Sequence, residues 1–157
     1  MAELTDADVE RLTGTDFATF VTVNPDASPH ATITWVDASD GHVLVNTAQG
    51  RVKDRNVRTN PRVALAIMKG GDAYDWISIT GTVVDIEIGD RAERHIDELS
   101  HRYDGHGYTY KPGQVREILT IRPDRVIHYG LSRRWPTFPS RPGCVLGRSR
   151  SSSVRHT

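Results

Sequence analysis

The sequence predicts a predominantly antiparallel β fold that rolls toward a barrel and carries a few short helices. Three observations predict it. Runs rich in β-branched and aromatic residues recur between Phe17 and Tyr129, each bounded by Gly, Pro, Asn or Asp. Apolar and polar residues alternate along the run His30–Trp35. About seven such runs with short links favour closure, because a closed sheet leaves no open edge.

In chain order, Thr5 and Asp8 have the spacing of a capping box, flanked by Leu4 and Val9 at staple positions. A short helix should follow and end near Thr13, where Gly14 can stop it. Phe17 to Val23 reads as the first strand and closes on Asn24-Pro25-Asp26. His30 to Val36 is the second, Asp37 to Gly41 a turn, and His42 to Thr47 the third, so that the three would form a meander. Gly50 to Arg58 reads as a short basic helix that Pro61 ends.

Arg62 to Met68 and Trp76 to Ile88 are the next strands, the latter bending at Gly81. Asp90 to Tyr103 reads as a helix: Ala92, Ile96, Leu99 and Tyr103 share one face, and Asp90 with Glu93 could cap it. A glycine- and tyrosine-rich loop spans 105–113. Two final strands, Glu117 to Arg122 and Arg125 to Tyr129, join at Pro123-Asp124.

The chain has 157 residues and 37% hydrophobic content, enough for one domain. Composition divides it at residue 130. The last 27 residues hold six Arg, six Ser, three Pro and no acidic residue, whereas positions 1–130 hold 14 basic and 20 acidic residues. A domain over 1–130 and a basic, disordered tail over 131–157 are therefore expected. Removing the tail should leave stability and ligand binding intact. An acidic body argues against nucleic-acid binding. The lone Cys144 supports neither a disulfide framework nor a thiolate metal site, and His95 and His101 are too far apart on a helix to share an ion. No membrane-length apolar run or signal-like start is present, so a cytoplasmic protein without membrane partners is expected.

Two segments carry chemistry. In His30-Ala31-Thr32-Ile33-Thr34-Trp35, one side is apolar and the other presents hydroxyls. If the apolar side packs inward, the hydroxyl row suits the edge of a heteroaromatic ring, although threonine also favours strands for its own sake. In the basic helix, Arg51, Lys53, Arg55 and Arg58 crowd behind a strand and a glycine. Lys53 and Asn56 share one face, and Arg51, Arg55 and Arg58 another. Such a cluster in an acidic body suits a phosphate, while arginines paired with nearby carboxylates would explain it equally well.

The stretch His42-Val43-Leu44-Val45-Asn46-Thr47-Ala48-Gln49-Gly50-Arg51-Val52-Lys53-Asp54-Arg55-Asn56-Val57-Arg58 resembles the cofactor-phosphate segment of the actinobacterial flavin/deazaflavin oxidoreductases, relatives of pyridoxamine 5′-phosphate oxidase. Phe17 to Asp26, Asn60 to Val63, Trp76 to Gly81 and Ile121 to Gly130 agree in order, so the likeness covers roughly 5–130. The resemblance implies a split β-barrel of the FMN-binding type and a homodimer with cofactor sites at the interface. Arg51, Lys53 and Asn56 would hold the cofactor phosphate, with Thr47, Ala48 and Gln49 leading to it. Thr32, Thr34 and Trp35 would lie along the ring. Tyr74 and Trp76 would come from the facing subunit or line the pocket mouth.

Through the Arg-x-Lys-x-x-Asn pattern of Arg51, Lys53 and Asn56, the same resemblance implies coenzyme F420, with FMN the alternative, and hydride transfer to a small unsaturated or conjugated substrate. The cofactor carries that chemistry, so no protein acid, base or nucleophile is implied. An FMN-dependent oxidase-like enzyme and a non-catalytic flavin carrier would share the same motifs. Leu131-Ser132-Arg133-Arg134-Trp135-Pro136-Thr137 does not match the substrate segment of the true oxidases.

Overall fold

The capping box forms as its spacing requires: Thr5 N–H donates to Asp8 Oδ2 at 2.9 Å and Asp8 N–H to Thr5 Oγ1 at 3.3 Å, opening helix α1 (Asp6–Leu12). The computed structural model describes residues 2–130, so the expected tail over 131–157 lies outside the described residues. Strands β1 (Ala18–Val23), β2 (Pro29–Thr34), β3 (Asp37–Ser39) and β4 (His42–Ala48) precede α2 (Val52–Thr59). Then come β5 (Arg62–Met68), a 3-10 turn, β6 (Trp76–Ile88), α3 (Asp90–Asp104) and β7 (Arg116–Tyr129).

All seven strands join one antiparallel sheet in the order β2-β1-β5-β6-β7-β4-β3. The long strands β6 and β7 divide it. Their first-to-last pairing, Trp76↔Tyr129 through Gly81↔Pro123, continues the half made by β2, β1 and β5. Their other ends, Val83↔Ile121 through Ile88↔Glu117, continue into β4 and β3. Register shifts at Thr80/Gly81 and Val83/Asp85 mark the fold line. Gly81 must be glycine there, because a Cβ would stand 2.6 Å from Arg122 O and 2.7 Å from Ile121 Cγ2. The halves enclose one core in which Phe20, Leu65, Ile67, Ile77 and Ile79 meet Val43, Val45, Leu119 and Ile121. This is a split barrel, mainly β with short helices, as expected.

Five local expectations change. β2 pairs with β1 but not with β4, so the first strands are no meander; β4 is drawn to β7 instead, where Val43 and Val45 are fully buried. The expected turn over Asp37 to Gly41 contains β3, and Asp40 and Gly41, both at positive φ, make the hairpin turn. The two last strands are one. Pro123 lies opposite Gly81 at the bulge, where a missing N–H does not interrupt the ladder.

Helix α3 starts from Gly89 at φ 94°, with no side-chain cap, rather than from an Asp90–Glu93 cap. Finally, β2 presents the opposite face to the core. Its partners in register, Ala18↔Thr34, Phe20↔Thr32 and Thr22↔His30, put the hydroxyl row on the core side, and Ile33 is 66% exposed. Cross-strand partners share a face, so the fully buried Phe20 settles the matter over the local alternation. No helix among the described residues is long and apolar enough to cross a membrane.

Candidate functional site

At the open side of the core, between the β2 edge and the start of α2, lies a cleft of about 230 Å³. Trp35, Phe17 and Ile33 form its apolar wall, Ile96 of α3 its back, and Lys53, Arg51 and Arg116 its charged end. A neighbouring groove shares Ile33, Arg51 and Lys53 and adds Thr32, His30 and Gly50. Among the described residues, no carboxylate lines either one.

Local sequence explains how these side chains arrive. Gly50, at φ 79°, turns the chain from β4 into α2, and Asp54 Oδ2 accepts its N–H at 2.7 Å. That bond fixes the turn from which Arg51 and Lys53 enter the cleft. Arg55 donates to Gly50 O from the outer side. As expected from the helical spacing, Lys53 and Asn56 are buried while Arg51, Arg55 and Arg58 are exposed.

Lys53 is only 7% exposed, and its ammonium sits 6.0 Å from the centre of the Phe20 ring. Burial, then the charges of Arg51 and Arg116, lower its pKa from the usual 10.5 to about 8. A buried, unpaired lysine beside two guanidiniums is costly in the free protein and is relieved by an anion. The Thr32 hydroxyl oxygen is also buried without a partner and lies along the same groove. These unmet groups fit a bound phosphate, and the aromatic and aliphatic wall beside them fits a flat ring.

The structure brings Thr32, Thr34, Trp35, Arg51 and Lys53 together. Trp35 stacks on Tyr103 at 5.4 Å between ring centres, and the Tyr103 hydroxyl donates to Asp16 O at 3.1 Å. Thr47 and Ala48 are buried within β4, and Gln49 follows them on the surface. The Asn56 amide donates to Thr22 Oγ1 at 3.0 Å and Asn24 Oδ1 at 2.9 Å, latching α2 onto the β1–β2 hairpin. Tyr74 is 70% exposed and Trp76 stacks on Tyr129 at 5.4 Å, so neither lines the cleft built by this chain.

Sequence reasoning missed Phe17, Ile33, Asn46, Ile96, Tyr108 and Arg116. Only the glycine- and tyrosine-rich loop gave a signal. It is tied back by Tyr108 N–H to Asp97 Oδ1 at 2.8 Å, which sets the Tyr108 ring 5.1 Å from the Arg116 guanidinium. Arg116, by contrast, stands alone at a strand start, and no local pattern distinguishes it.

Fold and site together define a split-barrel protein with a cation-lined, aromatic-walled cleft. The sequence matches the pyridoxamine 5′-phosphate oxidase family over residues 4–130, and the chain belongs to that family. Among solved structures it is similar to an F420 reductase, with 25% identity over 79% of this chain and 98% of that one, at a TM-score of 0.68. A conserved hypothetical protein of Mycobacterium tuberculosis shares 23% identity over 80% of this chain and 84% of its own, at a TM-score of 0.60. General stress protein 26 of Bacillus anthracis shares 19% over 76% and 88%, at 0.56. No curated protein matches the sequence.

Proposed function

We propose that the protein is an oxidoreductase that binds coenzyme F420 in this cleft and reduces a small unsaturated or conjugated substrate. The observation that carries the reading is Lys53: buried, unpaired, and set between Arg51 and Arg116 in a cleft without carboxylates. Likeness to an F420 reductase over nearly its whole length supports the choice of coenzyme. A bound deazaflavin supplies the hydride chemistry. The chain's own residues bind and orient: Arg51 and Lys53 receive the phosphate, Thr32 and Thr34 border the ring edge, and Phe17, Ile33 and Trp35 exclude water from one side.

The reading includes a homodimer. Ile33, Thr19, Ala66, Ser78 and Ile127 lie in one row across the outer face of the sheet. Met68, Trp76 and Tyr129 form the next row, and Ile33, Met68, Ile127 and Tyr129 are exposed. Ile33 belongs both to this apolar face and to the cleft, so a second copy seated on the face would also border the ligand. Tyr74 and Trp76 of that copy are the side chains offered to it.

Parallel fluorescence titrations with F420 and with FMN test the reading. Tight binding of F420 supports it and justifies a screen of conjugated acceptors. Preference for FMN moves the protein to the FMN-dependent alternative, and binding of neither overturns the proposal.

A further inference from the structure

Arg116 is 3% exposed, a degree of burial at which a guanidinium is ordinarily paired with a carboxylate. Its hydrogen bonds go instead to neutral groups. Nε donates to Asn46 Oδ1 at 2.8 Å, and Nη1 donates to the Tyr108 hydroxyl at 3.2 Å. These contacts fix the direction of the side chain without cancelling its charge, and the charged end faces the cleft beside Lys53 and Arg51.

Asn46 is itself held in one orientation. Arg116 can only donate, and the Ala92 carbonyl can only accept. The amide therefore turns Oδ1 toward Arg116 and donates Nδ2–H to Ala92 O at 2.8 Å. The same Nδ2 lies 3.3 Å from His95 Nδ1. His95 Nε2 stands 3.5 Å from Asp37 Oδ2, and Arg102 clamps both Asp37 oxygens at 3.1 Å. Burial alone would raise the Asp37 pKa, but the nearby His95 ring and the two bonds from Arg102 outweigh it and bring it to about 2. A fixed anion thus sits behind the chain, separated from Arg116 by the Asn46 and His95 side chains.

We propose that Asn46 is a positioning residue that aims the unneutralised Arg116 guanidinium at an anionic group of the ligand, so that Arg116 is the third cation of the phosphate site. An aspartate at position 46 could hold Nε equally well, but it would form an ion pair and withdraw the charge from the ligand. Asparagine provides the acceptor and leaves the charge free. The inference rests on the cleft being a phosphate site, not on which flavin occupies it.

The test uses the full chain and inorganic phosphate as the probe, in thermal melts at fixed ionic strength with phosphate replacing chloride. Phosphate should raise the melting temperature of the wild type and yield an apparent Kd. Asn46→Asp should raise that Kd on the order of tenfold, as loss of one charge-assisted contact implies. Arg116→Gln, which keeps donors for Asn46 and Tyr108, should do the same. A purely structural role would lower the melting temperature in chloride and phosphate alike and preserve the difference between them. Wild-type phosphate affinity in either variant, or no phosphate response in the wild type, overturns the proposal. A phosphate response that depends on Asn46, in a protein that binds neither F420 nor FMN, sustains the positioning role and sinks the flavin reading alone.

Discussion

Two adjacent residue pairs separate the molecule's charged interior into regions of opposite design. On α2, Lys53 faces the cleft and Asp54 lies beneath the Gly50 turn; on β7, Arg116 faces the cleft and Glu117 points away from it. On the cleft side three cations gather without a carboxylate. On the other side the charges are matched: Arg58 donates to Asp54 Oδ1 at 2.5 Å and to Glu117 Oε2 at 2.7 Å. Burial and the neighbouring Asp54 raise the Glu117 pKa to about 7, whereas Asp54, despite its burial, is lowered by the Gly50 N–H and Arg58. Asp54 therefore stays charged against Arg58, while the buried Glu117 Oε1 has no hydrogen-bond partner among the described residues. The matched side holds α2 on the barrel, and the unmatched side is the one that the proposed phosphate would stabilise. Charge that is satisfied internally serves the fold, and charge left open serves binding.

The sharpest way to break this contrast is to remove the matched carboxyl. Glu117→Ala should destabilise the protein by about 2–3 kcal/mol, because it empties a fully buried site and leaves Arg58 with one partner. Chemical denaturation measures the loss, while the ratio of the affinities for F420 and for its phosphate-free deazaflavin core should change less than about threefold, since no cleft cation is touched. A parallel collapse of that ratio would mean the two sides are not independent.

Lys53→Met is the mirror experiment. It should weaken F420 binding by about 1–3 kcal/mol through loss of a charge-assisted hydrogen bond, measured by fluorescence titration. The melting temperature of the free protein should stay level or rise, because an unpaired buried charge is gone. A clear drop in melting temperature would return Lys53 to a structural role.

The same two groups should also respond to pH, with opposite signs. Glu117 has a folded pKa raised from 4.5 to about 7, so its contribution to stability is complete below 4.5 and is lost as pH rises to 7. Lys53 has a folded pKa lowered from 10.5 to about 8, so its penalty is relieved as pH rises from 8 toward 10.5. F420 affinity should fall over that upper range as the ammonium is lost. Denaturation and titration series from pH 5 to 10 separate the limbs, with Glu117→Ala flattening the lower and Lys53→Met the upper.

Much of this was legible in the chain. The Thr5–Asp8 box, the bend at Gly81, the single amphipathic helix and the basic turn before Lys53 are set by short-range chemistry: caps, a missing Cβ, a 3.6-residue period and residue charge. These operate within a few residues and can be read one after another. The division of Arg51, Lys53 and Arg58 into free and paired cations was not legible, because the deciding partners, Arg116 and Glu117, lie about sixty positions away. Nor was the face of β2, since alternation marks two sides of a strand and only Phe20 across the ladder tells which one is inside. Local pattern therefore specified the helices, most of the strands and the basic turn before Lys53. Which strands pair, which side of each is buried, and which charges are left open depended on long-range pairing between β4, β6 and β7, whose energies come from contacts that sequence neighbours do not make.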